Sequence, residues 1–111
     1  MVRQRLKSIM TLDYDTCYIC GVRPAVHIHH IFNKADKKAS EKYGLVVPVC
    51  VFCHTGSNEA IHNYEYNNLR LKARAQRVFE SIESRDKFIE VFGRDYIEKL
   101  IDFEDRLHKV W

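Results

Sequence analysis

Two Cys-x-x-Cys pairs constrain the fold of this chain more than any other feature of its sequence. Cys17 and Cys20 form the first pair, Cys50 and Cys53 form the second, and all four cysteines fall within 37 residues. Two such pairs supply the four thiolates of one tetrahedral structural zinc ion. We therefore predict that a Zn²⁺ ion joins the two ends of the segment that lies between the pairs.

The beginning of the sequence favours zinc over disulfide bonds. Residues 1–7 lack the apolar core of a secretion signal, and no run of residues in the sequence is long and apolar enough to span a membrane. Cytoplasmic proteins keep their thiols reduced, and reduced Cys-x-x-Cys pairs are better interpreted as metal ligands. We expect a cytoplasmic protein that has no membrane partner.

Apolar residues and histidines alternate between residues 25 and 31. This period of two is typical of a strand, with His27 and His29 on the face opposite the aliphatic residues. Strict alternation places His29 and His30 on opposite faces, so both reach one site only if the strand ends or bulges between them. His27 is predicted to be a structural residue.

The chain beyond this strand predicts a hairpin followed by helices. Residues 32–44 are polar and predict a long loop, and the β-branched residues 45–49 predict a return strand that leads into the second cysteine pair. Ser57 or Asn58 is a suitable first residue for a helix that carries His62. Helical periodicity then continues towards the end of the chain.

These elements predict an α+β protein with a single domain of 111 residues. Residues 15–66 would form a small ββα, treble-clef-like core that holds the four-cysteine zinc. Residues 67–111 would form a helical C-terminal extension that packs on this core. The apolar stripes of the extension are expected to serve as core or as the contact surface of a homodimer.

The net charge of +3 is unevenly distributed along the chain. Residues 1–62 contain eight Lys/Arg and five Asp/Glu, whereas residues 63–111 contain ten of each. A positive first half suits a polyanion bound near the zinc, and a solvated surface explains the charges of the basic helix equally well but those of the N-terminal cluster less well. The second half still has one basic patch, which consists of Arg70, Lys72, Arg74 and Arg77.

The histidines suggest phosphodiester hydrolysis, which requires an activated water molecule and a cation that stabilises charge on the phosphate. His29 is a candidate ligand for a divalent metal ion, and His30 is a candidate general base. His54 and His62 are candidates for the remaining ligands, because the zinc brings residue 54 back beside the histidine pair. Mg²⁺, Mn²⁺, Ni²⁺ or Zn²⁺ could occupy this site, and no motif for a small-molecule cofactor is present. The loop offers three candidate phosphate contacts, Lys34, Lys37 and Lys38.

The order of these motifs resembles the HNH endonuclease superfamily, in particular its small phage-borne members. The resemblance covers about residues 15–77 and is carried by Cys17-x-x-Cys20, His29-His30-Ile31 and Cys50-x-x-Cys53-His54. It implies a ββα-metal fold and metal-dependent cleavage of double- or single-stranded DNA. It also implies that His29 binds the metal, that His30 is the general base, and that His54 completes the motif. The phage-borne members add His62, a host-cell cytoplasmic location, and a recombination or packaging protein as a partner.

One position departs from the HNH pattern. The family usually has an asparagine five residues before the second cysteine pair, where it braces the site, and this chain has Leu45 there. Asn33, Asn58 and Asn63 are candidate substitutes for the missing asparagine, and Asn63 is favoured because it lies beside His62.

A non-catalytic zinc module is the alternative hypothesis. Such a module would bind nucleic acid or a protein partner through the lysine-rich loop and the basic helix. His29 and His30 would then form a second structural metal site, or would simply pack against the zinc loop.

Overall fold

The computed structural model describes residues 7–58 and 60–109. The described residues form a hairpin of two strands, followed by a helical C-terminal part. This arrangement confirms the predicted α+β class, in which a hairpin and a cysteine cluster precede helices. The strands are β1 (His27–His30) and β2 (Val46–Val49), and the helices are α1 (Lys37–Tyr43), α2 (Glu65–Ile82), α3 (Arg85–Phe92) and α4 (Tyr96–Lys109).

Strands β1 and β2 pair in an antiparallel ladder with a continuous register. His29 lies opposite Val47, and His30 lies opposite Val46. Because β1 has no bulge and ends at His30, the two histidines project to opposite faces of the hairpin. His29 is buried, whereas His30 is only partly buried.

The segment predicted to be a loop between the strands is largely helical. A short 3-10 turn over Lys34–Asp36 leads directly into α1. The Ser40 hydroxyl accepts a hydrogen bond from the Phe32 N–H and donates one to the Phe32 carbonyl, which fixes α1 against the end of β1. Gly44 ends the helix in the left-handed region, with φ of 75°. The loop prediction was wrong because these tertiary contacts stabilise α1, whose sequence has no apolar stripe that would indicate a helix.

The helix predicted to begin at Ser57 or Asn58 is also absent from the described residues. A short π-helical turn over Phe52–Gly56 is followed by turns, and α2 begins only at Glu65. The His62 N–H donates to the His54 carbonyl at 3.3 Å, which holds this segment against the second cysteine pair. The chain is therefore folded back here instead of continuing as a helix.

Aromatic side chains join the C-terminal helices to the hairpin. Phe32, which follows β1, contacts Phe92 of α3 with ring centroids 4.5 Å apart and Tyr96 of α4 with centroids 5.1 Å apart. Phe79 of α2 and Phe88 of α3 complete this cluster, with their centroids 5.4 Å apart. All five side chains are buried, so the helices share one apolar core with the hairpin.

Gln76 fastens the start of α4 to α2. This side chain is fully buried, and its Oε1 accepts hydrogen bonds from the N–H groups of Tyr96 and Ile97. Its Nε2 donates to Asp95, whose carboxylate also accepts from the first N–H groups of α4. None of the helices in the described ranges is long and apolar enough to cross a membrane.

Two candidate metal centres

The four cysteines form one compact cluster of sulfur atoms. Their Sγ atoms all lie within 4.8 Å of one another, and the Sγ atoms of Cys20 and Cys50 are 3.8 Å apart. A tetrahedron with Zn–S bonds of roughly 2.3 Å has edges of about 3.8 Å. The two sulfur atoms of a disulfide bond would be only about 2.05 Å apart. The cluster is therefore consistent with the predicted structural zinc.

Backbone hydrogen bonds shape the first cysteine pair and attach it to the hairpin. Gly21, with φ of 80°, donates from its N–H to the Cys17 carbonyl at 2.9 Å, which closes the tight turn after Cys20. The Tyr18 N–H donates to the Pro48 carbonyl at 2.8 Å. This bond places the first pair beside β2, whose chain continues directly into the second pair.

The ionisation of the thiols also suits a bound cation. Burial opposes ionisation of Cys17, but backbone hydrogen bonds from Cys20, Cys50 and Ile19 lower its pKa to about 6. Burial and the neighbouring thiols raise the pKa of Cys53. Four thiolates at these distances repel one another, and Zn²⁺ supplies the positive charge that allows all four to ionise.

A second cluster consists of three imidazoles. His29 extends from β1, His54 from the π-helical turn and His62 from the turns that precede α2. Ring nitrogens of all three lie within 4.8 Å of one another, and the Nε2 atoms of His54 and His62 are 2.9 Å apart. Two nitrogens bound to one ion at roughly 2.1 Å lie about 3.0–3.4 Å apart, so the donor set fits a divalent metal ion.

His29 is the buried member of this triad. Its Nε2 atom is buried and has no hydrogen-bond partner among the described residues. Burial, together with the nearby His62 and His54, lowers the pKa of His29 to about 3. The imidazole is therefore neutral at ordinary pH, as a metal ligand must be. Leaving a buried polar atom unsatisfied costs about 1–3 kcal/mol, which a bound cation would offset.

A fourth histidine contacts the triad from the same face of β1. The Nδ1 atom of His27 lies 3.0 Å from the Nδ1 atom of His54, whose Nε2 faces His62. If His54 binds a metal through Nε2, its Nδ1 carries the proton and donates a hydrogen bond to Nδ1 of His27. The prediction gave His27 only a structural role. Its position two residues before His29 already placed it on the same strand face.

His30 pairs with a carboxylate that the sequence did not indicate. Its Nε2 lies 2.7 Å from Oε2 of Glu41 in α1, and 18% of its side chain is exposed. Because Nε2 donates to Glu41 in the neutral imidazole, Nδ1 is the nitrogen that can accept a proton. Glu41 lay in the segment predicted to be a loop, so no spacing signal connected it with His30.

Leu45 and Asn63 occupy different environments. Leu45 is fully buried in the apolar core, where its N–H donates to the Ser40 carbonyl at 2.8 Å. The Asn63 side chain donates to the carbonyls of Thr55 and Ser57 at 2.9 Å and 2.8 Å. Asn63 thus braces the backbone that directly follows His54.

The basic side chains fall on separate surfaces. Lys34, Lys37 and Lys38 are exposed on the 3-10 turn and the first turn of α1, the helix that carries Glu41. Lys72 does not lie with the other members of the basic patch, because its Nζ is 5.2 Å from the ring centroid of Tyr96. Burial and the nearby Lys99 and Arg94 lower the pKa of Lys72.

Comparison of the chain with protein-family models, with curated proteins and with solved structures found no match.

Proposed function

We propose that this protein is a metal-dependent endonuclease of the HNH type that hydrolyses phosphodiester bonds of DNA. The observation that supports it best is the convergence of His29, His54 and His62 around the unpartnered Nε2 of His29. The next residue of β1, His30, is held by Glu41 and has one ring nitrogen left for a proton. A cation site and a base on adjacent residues are the two groups that hydrolysis of a phosphodiester requires.

Each side chain has a distinct role in this proposal. The triad would hold the divalent ion, which when bound supplies positive charge to the phosphate in the transition state. His30 accepts a proton from the attacking water at Nδ1, and Glu41 stabilises the imidazolium that results. Lys34, Lys37 and Lys38 are proposed to contact neighbouring phosphates.

The cysteine cluster has a structural role. His54 directly follows Cys53, so the zinc that ties Cys53 to the other thiols also keeps His54 beside β1. Asn63 then braces the same backbone segment from the other side. The two contacts are proposed to supply the rigidity that an asparagine provides at the Leu45 position in HNH enzymes.

Nicking of supercoiled plasmid tests the proposal. Protein carrying zinc on its cysteines, given Mg²⁺, Mn²⁺ or Ni²⁺, should convert supercoiled DNA first into nicked circles, because one site cuts one strand at a time. His30→Ala should abolish nicking while zinc content and circular dichroism stay unchanged. Nicking by His30→Ala at the wild-type rate would contradict the assignment of the general base.

Glu41→Gln gives a graded second test. The variant keeps the side-chain volume but cannot stabilise a protonated His30, so we expect nicking to slow by roughly 10- to 100-fold. The affinity for Mn²⁺ should stay unchanged, since Glu41 is not part of the triad. An unchanged nicking rate would show that the His30–Glu41 pair has no part in the reaction.

The second candidate function is a non-catalytic zinc module that binds nucleic acid or a protein. The burial of Leu45 favours it, because an apolar core residue replaces the polar residue found there in HNH enzymes. Zinc-loaded protein that never nicks supercoiled, linear or single-stranded DNA with any of the three ions would support this function. A recombination or packaging protein as partner, and a homodimer through the C-terminal helices, are further proposals that gel filtration can test.

A further inference from the structure

A groove of about 1030 Å³ is lined by residues of both cysteine pairs and of α2. Tyr18 and Ile19 of the first cysteine pair form one wall with Phe52, and α2 forms the other wall. The volume is at the upper end of small-molecule sites, which are roughly 300–1,000 Å³. None of the residues that line the groove is acidic.

Three arginines of α2 supply the charge of this groove. Arg70, Arg74 and Arg77 are exposed, and none of them forms an ion pair with a carboxylate in the described part of the chain. Their spacing of four and three residues places them on one helix face over about 10 Å. The Arg74 Nε donates to the Tyr18 hydroxyl at 2.7 Å, which fixes its guanidinium against the first cysteine pair. Among the described residues the groove therefore has a row of positive charges without paired carboxylates, which suits a polyanion.

Exposed apolar side chains line the opposite wall of the groove. Phe52 is 64% exposed and Ile19 is 49% exposed, and each lies between the two cysteines of one pair. An uncovered aromatic ring beside a row of arginines is the arrangement that binds single-stranded nucleic acid, because unpaired bases can stack on the ring. A duplex would offer only its phosphates to this wall, since its bases are already stacked.

We propose that this groove binds a single strand of nucleic acid, with phosphates on the arginines and a base against Phe52. The inference rests on the proposed function, because it extends the substrate site of the nuclease. Cys53 and Ile61 line the groove, and each is the sequence neighbour of a triad histidine, His54 or His62. A strand that leaves the groove at this end would reach the metal-binding triad.

Fluorescence anisotropy with a labelled oligothymidine of about 20 nucleotides tests the groove. All proteins carry His30→Ala, so that DNA is not cut, and no divalent ion is added. Phe52→Ala should weaken binding by roughly 5- to 100-fold and leave its salt dependence unchanged. Phe52→Trp should restore the affinity, because it restores the stacking surface.

The arginines have a different expected signature. Arg70→Gln with Arg77→Gln should reduce the slope of log affinity against log salt by about 1.4, or roughly 0.7 for each lost phosphate contact. The control is Lys87→Gln with Arg106→Gln, which removes the same charge from α3 and α4 and should leave the slope nearly unchanged. Arg74 is left intact, because it also holds Tyr18.

Two results would contradict the proposal that the groove binds a single strand. The first is that the groove variants bind the oligothymidine as tightly as the control variant. The second is that the parent His30→Ala protein binds a duplex of the same length more tightly than the single strand. If the groove binds an acidic protein segment instead, the groove variants should still bind the oligothymidine as tightly as the control does. Failure of the nuclease proposal looks different, because binding would then depend on Phe52 and the arginines while nicking is absent.

Discussion

The low pKa of the buried His29 imidazole should make the free energy of unfolding depend on pH. Burial and the neighbouring histidines hold its pKa at about 3 in the folded protein, whereas a histidine in an unfolded chain has a pKa of about 6.5. Between these values the unfolded chain binds more protons than the folded protein. The free energy of unfolding therefore falls as pH decreases through about 6.5, and the contribution of His29 is fully present above that pH.

The magnitude follows from the same two pKa values. Lowering the pH from about 7 to about 5 protonates His29 in the unfolded chain only, which removes about 2 kcal/mol of folding stability. His29→Asn has no imidazole to titrate, so its stability should lack this component. We expect the variant to be less stable at neutral pH, where the loss of packing dominates, and to approach wild type as the pH falls.

Urea unfolding at several pH values measures this difference. Both proteins carry zinc on their cysteines, verified at each pH, and no other divalent ion is present. Titration of other groups, including release of zinc from the thiolates, is common to both proteins and cancels in the comparison. Equal loss of stability in wild type and His29→Asn on acidification would refute the buried neutral imidazole.

Three other predictions follow from the contacts. Wild-type protein should hold one tightly bound zinc per chain by elemental analysis, and Cys17→Ser should lose this zinc and unfold; a zinc-free variant that melts cooperatively at the wild-type temperature would contradict a structural role. His27→Ala should weaken Mn²⁺ binding roughly tenfold in calorimetry, and His27→Asn should weaken it less, because an amide oxygen can still accept from His54; equal affinities of all three proteins would exclude a positioning role. Gln76→Leu should lower the free energy of unfolding by about 1–3 kcal/mol in urea, because it leaves the Tyr96 N–H of α4 without an acceptor while the Ile97 N–H keeps Asp95, whereas the exposed Ser81→Ala on the same helix should change it little; similar losses in both would contradict this.

Short-range patterns made much of the fold predictable. The cysteine spacing indicated a cluster that the structure brings together, and alternation along β1 placed His27 and His29 on one face of the strand. Ser84 caps α3 by accepting from the Lys87 N–H at 3.1 Å, and Gly93 ends that helix with φ of 83°; serine and glycine are the residue types preferred at these two positions. Each of these features depends on residues close together in the chain or on a single strong chemical preference.

The missed features depend on side-chain contacts between different secondary-structure elements. Helix α1 is fixed by the bonds of Ser40 with Phe32 and has no apolar periodicity of its own, so a polar loop was the natural prediction. The pairing of His30 with Glu41 then follows from the placement of α1 and cannot be read from spacing.

The basic patch on α2 is a different case, because helical geometry alone separates its members. Residues two apart in a helix point about 200° away from each other, so Lys72 cannot share a surface with Arg70 and Arg74. The structure has Lys72 over the ring of Tyr96, whereas the arginines line the groove. Applying the 3.6-residue period to the charged residues, as well as to the apolar ones, would have shown this division.

The most direct test of the proposed metal site is an anomalous diffraction map of the protein with Mn²⁺ and a short DNA strand, using His30→Ala to prevent cutting. We expect a manganese peak enclosed by ring nitrogens of His29, His54 and His62, with a phosphate beside it. A separate zinc peak should lie among the four cysteines. A map with zinc at the cysteines and no metal at the three imidazoles would contradict the proposed active site.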